Sequence, residues 1–124
     1  MRKIITMLAV TLLAASPAMA QTRSFCGGAV EVNAGYRGAS DANGNYVEYY
    51  AFVSGTDPQR LSLNTIIQFN APSGVTAAVD PARVNLGGMG RARVRLATER
   101  QPTGQMRPSI PRGQIVGYVT VTCS

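Results

Sequence analysis

The chain has 124 residues, of which 45% are hydrophobic and 15% charged, with a formal net charge of +6. It contains no His, so the commonest general base and metal ligand is missing. That excludes Ser-His-Asp and Cys-His nucleophile systems and His-based zinc sites.

Arg2 and Lys3 open the chain, followed by an uncharged run from Ile4 to Ala15, then Ser16-Pro17 and Ala18-Met19-Ala20. A charged start, a short apolar stretch and an A-x-A site make residues 1–20 a cleavable signal peptide. The apolar run is shorter than the roughly 20 residues a membrane span needs, and Pro17 would break a helix leaving it. The alternative, a buried N-terminal helix, has nothing helical later in the chain to pack on. The expectation is an exported product, periplasmic or secreted, with no transmembrane span in its mature form. Residues 21–124 then form a single domain. Without Arg2 and Lys3, ten Arg face six acids and no Lys remains. Schiff-base and Ser-Lys chemistry are thereby also excluded. The excess of cations admits an anionic partner. They are scattered, with no aromatic-rich or helix-turn-helix pattern, so nucleic acid is not expected.

Ser24 to Val32 reads as a first strand, with Gly27-Gly28 as a bulge or bend. Within it lies Cys26; its only counterpart is Cys123, beside the far end. In an oxidising compartment an isolated pair is expected to be a disulfide, here tying the first strand to the last. A redox-active pair would be the alternative, but no C-x-x-C is present. Asn33 to Asn45 reads as turn-rich, with Asn43-Gly44 a hairpin signal. Tyr46 to Val53 is a strand, with Tyr46, Glu48, Tyr50 and Phe52 on one face and Val47, Tyr49, Ala51 and Val53 on the other, the core side.

Ser54 to Gln59 reads as another turn. Arg60 to Asn70 alternates as a half-buried strand, with Leu61, Leu63, Thr65, Ile67 and Phe69 inward. Short strands follow at Val75 to Val79 and Arg83 to Leu86. Arg91 to Ala97 alternates most sharply: Arg91, Arg93 and Arg95 on one face, Ala92, Val94 and Leu96 on the other. A Pro-punctuated loop is expected from Thr98 to Gly113 and a last strand from Gln114 to Cys123. About seven strands with turn signals every 8–12 residues predict an all-β, antiparallel sandwich. Leu63, Ile67, Val94, Leu96, Val119 and Val121 are its expected core.

The stretch Phe69 to Leu96, F-N-A-P-S-G-V-T-A-A-V-D-P-A-R-V-N-L-G-G-M-G-R-A-R-V-R-L, resembles bacterial immunoglobulin-like modules. In those, "P-x-G-aliphatic" and "P-x-x-aliphatic-x-L" precede a strand alternating cations and aliphatics. The resemblance implies an immunoglobulin-like sandwich and carries no catalytic residue.

Six acids remain for chemistry: Glu31, Asp41, Glu48, Asp57, Asp80 and Glu99. Only Glu31 and Glu48 fall inside expected strands, and they are the one carboxylate pair to weigh for glycosidase work. The plainer reading makes both solvent-facing. Asp41-Ala42-Asn43-Gly44-Asn45 lacks the closing Glu of a calcium loop and reads as a turn. No metal site, cofactor or catalytic residue is expected. Two surfaces are left. Arg91, Arg93 and Arg95 form a stripe suited to carboxylate, sulfate or phosphate, or else a solubilising face. Tyr46 and Tyr50 share a face suited to sugars or a protein partner, or else to cross-strand packing. The function expected is a non-enzymatic exported binding or accessory module whose partner is an anionic glycan, a lipid headgroup or an acidic protein surface. The alternative is a structural subunit, or a small chaperone, of an extracytoplasmic surface assembly.

Overall fold

A computed structural model describes residues 22–124. The expected signal peptide, residues 1–20, lies outside the described residues. Among the described residues eight strands form two antiparallel sheets: β1 (Thr22–Phe25), β2 (Val30–Asp41), β3 (Gly44–Gly55), β4 (Asn64–Phe69), β5 (Thr76–Asp80), β6 (Arg83–Asn85), β7 (Arg91–Arg100) and β8 (Val119–Cys123). The larger sheet has the order β1-β2-β3-β7-β5 and the smaller one β6-β4-β8. The architecture is an all-β sandwich. Among the described residues no helix is long and apolar enough to cross a membrane.

Several expected boundaries move. The single first strand is two, because Cys26–Gly28 is a 3₁₀ turn with Gly27 and Gly28 at φ of 67° and 95°. Those left-handed values suit glycine and fold β1 back along β2. The turn-rich reading of Asn33 to Asn45 is overturned, since β2 runs straight through to Asp41. Only Ala42 and Asn43 turn, and Asp41 pairs with Gly44 across the hairpin. Alternating Val30, Val32, Ala34 and Tyr36 supply the inward face, and pairing with β3 outweighs the local turn propensity of the glycines. The expected strand at Gln114 is 3₁₀ from Arg112 to Tyr118, with Ile115 and Val116 buried. Leu61, expected inward, is 85% exposed because β4 starts three residues later.

The core lies between the sheets. Val30, Val32, Val47, Tyr49, Ala51, Val53, Val94 and Leu96 from the larger sheet meet Leu63, Ile67, Phe69, Val119 and Val121 around the smaller. All six residues expected in the core are buried. Cys26 and Cys123 are bonded, with Cα atoms 6.1 Å apart and 97 residues of separation. The bond links the turn after β1 to the end of β8. Closing a loop of that length removes unfolded-state freedom worth about 4–5 kcal/mol on the chain-entropy argument.

The pairing of β3 with β7 breaks register once. Tyr49 pairs with Ala97 and Tyr50 with Arg95, leaving Leu96 as the extra residue of a β-bulge. Before the bulge Arg91, Arg93 and Arg95 point outward. After it Thr98 and Arg100 take the outward positions, and Leu96, Ala97 and Glu99 are buried. The expected loop at Thr98 is therefore still strand. The alternation ending at Leu96-Ala97 marks a bulge, and not the end of β7.

Candidate functional site

The outward face of the larger sheet brings the two sequence-derived surfaces together. Cross-strand register orders it in rows over β2, β3 and β7. From the hairpin end these are Ala39–Tyr46–Arg100, Arg37–Glu48–Thr98, Gly35–Tyr50–Arg95, Asn33–Phe52–Arg93 and Glu31–Ser54–Arg91. The tyrosines and arginines expected as separate features thus lie on adjacent strands, pointing the same way. Arg93 sits 4.7 Å above the Tyr50 ring and Arg100 5.2 Å above that of Tyr46. Such cation–π contacts draw the guanidinium groups over the aromatic rings.

Glycine makes one of these contacts possible. A Cβ at Gly35 would stand 3.1 Å from the Tyr50 hydroxyl and 3.3 Å from Nη1 of Arg112. Its absence leaves room for the Tyr50 ring to reach across β2. Tyr50 in turn meets Phe52 edge-to-face at 5.3 Å. Phe52, 50% exposed, is the aromatic with the most open surface on this face.

Carboxylate pairing weakens along the face. Arg100 donates twice to Asp41, Nη1 to Oδ1 at 2.8 Å and Nη2 to Oδ2 at 2.6 Å. Hydrogen bonding from Arg100, helped by the Asn43 amide, lowers the Asp41 carboxyl to about 2, and the pairing raises the Arg100 pKa in return. Next, Glu48 accepts from Nε of Arg37 at 2.8 Å, while Arg93 lies 3.9 Å from the same oxygen. Arg95 is 3.9 Å from Asp80, an exposed, loose pair. Arg91 has no carboxylate within 4.0 Å among the described residues. Unmatched positive charge therefore collects at the end far from the hairpin. A groove of about 510 Å³ lies there, lined by Arg91 and Arg93 from β7, Phe52 and Ser54 from β3, Glu31 and Asn33 from β2 and Thr22 from β1.

The remaining acids fall elsewhere. Glu31 and Glu48 occupy the same face, but Glu31 pairs with Ser54, six residues along β3 from Glu48. At about 3.4 Å per residue that is roughly 20 Å, beyond the carboxylate separations of about 5–9.5 Å that glycosidases use. Glu99, expected in a loop, is buried beneath the opposite face. Tyr49 Oη donates to its Oε1 at 2.6 Å, the Ser109 amide to the same oxygen at 2.9 Å, and the Ser109 hydroxyl to Oε2. Burial alone would raise the Glu99 pKa, but these three donors outweigh it and the net direction is down. The Tyr49 phenol is raised, chiefly by burial and then by Glu99. The cluster fastens the segment after β7 over the core, with the Ile110 amide donating to Tyr49 Oη at 3.4 Å. Among the described residues no group of three or more His, Cys, Asp or Glu is placed to hold a metal ion.

Arg37, Arg100, Asn33 and Glu31 belong to this face and were not assigned to it from sequence. Arg37 and Asn33 lay in the stretch expected to turn, and Arg100 beyond the expected end of β7. Alternation of Val30, Val32, Ala34 and Tyr36 is the signal that would have extended β2. Compared with protein-family models, curated proteins and solved structures, the chain matches none.

Proposed function

We infer that the mature chain is a non-enzymatic binding module, exported to the periplasm or beyond, that engages an anionic partner through the outward face of its larger sheet. The run from Phe69 to Leu96 supports an immunoglobulin-like scaffold for that role. The observation that carries the reading is the convergence of Arg91, Arg93 and Arg95 with Tyr50 and Phe52 on one open face, where pairing to carboxylates fades toward Arg91. Arginines that are exposed and short of counter-charge, one of them (Arg93) seated over the Tyr50 ring, are ready to grip an oxyanion in bidentate fashion. Lack of His and of Lys beyond residue 3 supports a binding role over an enzymatic one.

The test is a binding screen of the purified, disulfide-bonded protein against acidic glycans, anionic lipid vesicles and acidic proteins at low and high salt. Binding is expected to fall as salt rises. Replacing Arg91, Arg93 and Arg95 together by Gln is expected to abolish it while circular dichroism stays unchanged. A folded triple variant that keeps every interaction of the wild type would overturn the reading.

A further inference from the structure

The groove beside Arg91 carries cations on β7 and a carboxylate on β2 that form no ion pair with each other, unlike Arg100 and Asp41 at the hairpin end. Two adjacent rows build most of it, Glu31–Ser54–Arg91 and Asn33–Phe52–Arg93, with Thr22 of β1 beside Asn33 at its edge. Along β7 it is cationic, along β3 it offers a half-exposed ring and a hydroxyl, and along β2 it offers an amide and a carboxylate. Strands lie about 4.8 Å apart, so β7 to β2 is about 10 Å, the width of one sugar ring with its substituents. An aromatic floor suits the C–H face of a pyranose. Arg91 lacks an acidic partner among the described residues, and Arg93 holds only a long contact to a Glu48 already bonded to Arg37. Glu31, across the groove, accepts hydroxyl hydrogens and repels a second negative charge. A ligand anionic on one side and hydroxylated on the other fits. One that is anionic all round does not, and this sets the groove apart from a generic polyanion surface.

We propose that this groove binds a uronic-acid unit of an acidic polysaccharide, its carboxylate on Arg91 and Arg93, its ring on Phe52, and its hydroxyls on Ser54, Asn33 and Glu31. The proposal rests on the reading of the face as anion-binding and adds the ligand class. A sugar carboxylate is planar and takes two parallel N–H donors from a guanidinium, which is the strong form of the contact. Phe52 acts through its exposed ring and contributes no buried surface to the core, so its removal leaves the sandwich intact.

The experiment uses the disulfide-bonded protein and isothermal titration with oligogalacturonate and oligomannuronate. Their methyl esters serve as uncharged analogues and dextran sulfate, which has no uronate, as a densely sulfated control. At least one free uronate is expected to bind, with affinity falling tenfold or more on esterification. Phe52→Ala is expected to weaken uronate binding at least tenfold with an unchanged unfolding midpoint. Glu31→Gln is expected to weaken uronate but strengthen dextran sulfate. Absence of uronate binding, equal binding of the ester, or an unaffected Phe52→Ala would each overturn the proposal. Should uronate fail to bind while dextran sulfate or anionic vesicles bind in a way the triple Arg variant abolishes, the anion-binding face stands and the uronate site fails. Loss of the Arg dependence itself would remove both.

Discussion

The two halves of β7 hold similar residues and spend them differently. From Arg91 to Arg95 strict alternation puts three guanidinium groups outside, none within 3.5 Å of a carboxylate among the described residues. From Ala97 to Arg100, past the bulge, each charge is matched: Glu99 by three hydrogen-bond donors and Arg100 by both oxygens of Asp41. A strand without the bulge would put Glu99 outside among the arginines and turn Arg100 inward. Free positive charge on this face is thus governed by where the acids are placed, and one extra residue places them.

Leu96 is the hinge of that difference, fully buried at the bulge. Leu96→Ala is expected to cost about 2–5 kcal/mol in denaturant unfolding, the range for deleting a buried Leu side chain. A cost within about 0.5 kcal/mol, as at surface positions, would show that the bulge is not anchored by its side chain.

Glu99 tests the matched half. Glu99→Ala would leave the Tyr49 hydroxyl and the Ser109 amide without their acceptor, for an expected loss of about 1–3 kcal/mol. The segment 101–111 should become the first site of limited proteolysis. Acid should act in the same direction. The Glu99 pKa is lowered from 4.5 in the fold, so its contribution is complete above that value and is lost as pH falls toward and through the lowered one. Asp41 follows the same sign, titrating near 2 in place of 3.8. Unfolding midpoints across this acid range should therefore fall more steeply for wild type than for Glu99→Ala; parallel profiles would break the assignment.

The smallest effects belong to the surface arginines and separate the halves most sharply. Arg91→Gln should change stability by no more than about 0.5 kcal/mol. Arg100→Gln should leave the fold standing yet move the Asp41 carboxyl from about 2 back toward 3.8, a shift that carboxyl NMR resolves. If Asp41 does not move, the bidentate pair is not the source of its depression, and the two halves of β7 are alike.

Legibility in the sequence followed physical scale. Period-two alternation, a direct consequence of the pleat, located β3, β4 and the first half of β7 and gave all six core residues. The disulfide followed from there being only two cysteines in the sequence. Failures came where a local signal competed with pairing to a partner strand. Gly35 and Gly38 made β2 look like a turn, but β3 supplies ladder partners through Asp41. Consecutive buried Leu96 and Ala97 broke the alternation and hid a continuing strand. Ile115 and Val119, four apart, matched one strand face, yet the chain between them is 3₁₀. For the site, the arginine stripe and the Tyr46–Phe52 face were each visible alone. Their adjacency was not, because it depends on β3 pairing with β7 across a gap in sequence that no local pattern spans.

The bond from Cys26 to Cys123 also has a mechanical consequence. Both sheets, apart from β1, lie within the covalent loop it closes. Tension applied between the segment preceding Cys26 and the residue following Cys123 passes through the two sulfur atoms and loads almost none of the β-ladders. Such a pull can peel β1 from β2 but cannot unzip the core or extend the loop. With the bond reduced, the same pull falls first on β8 and its ladder to β4, and 97 residues of slack become available.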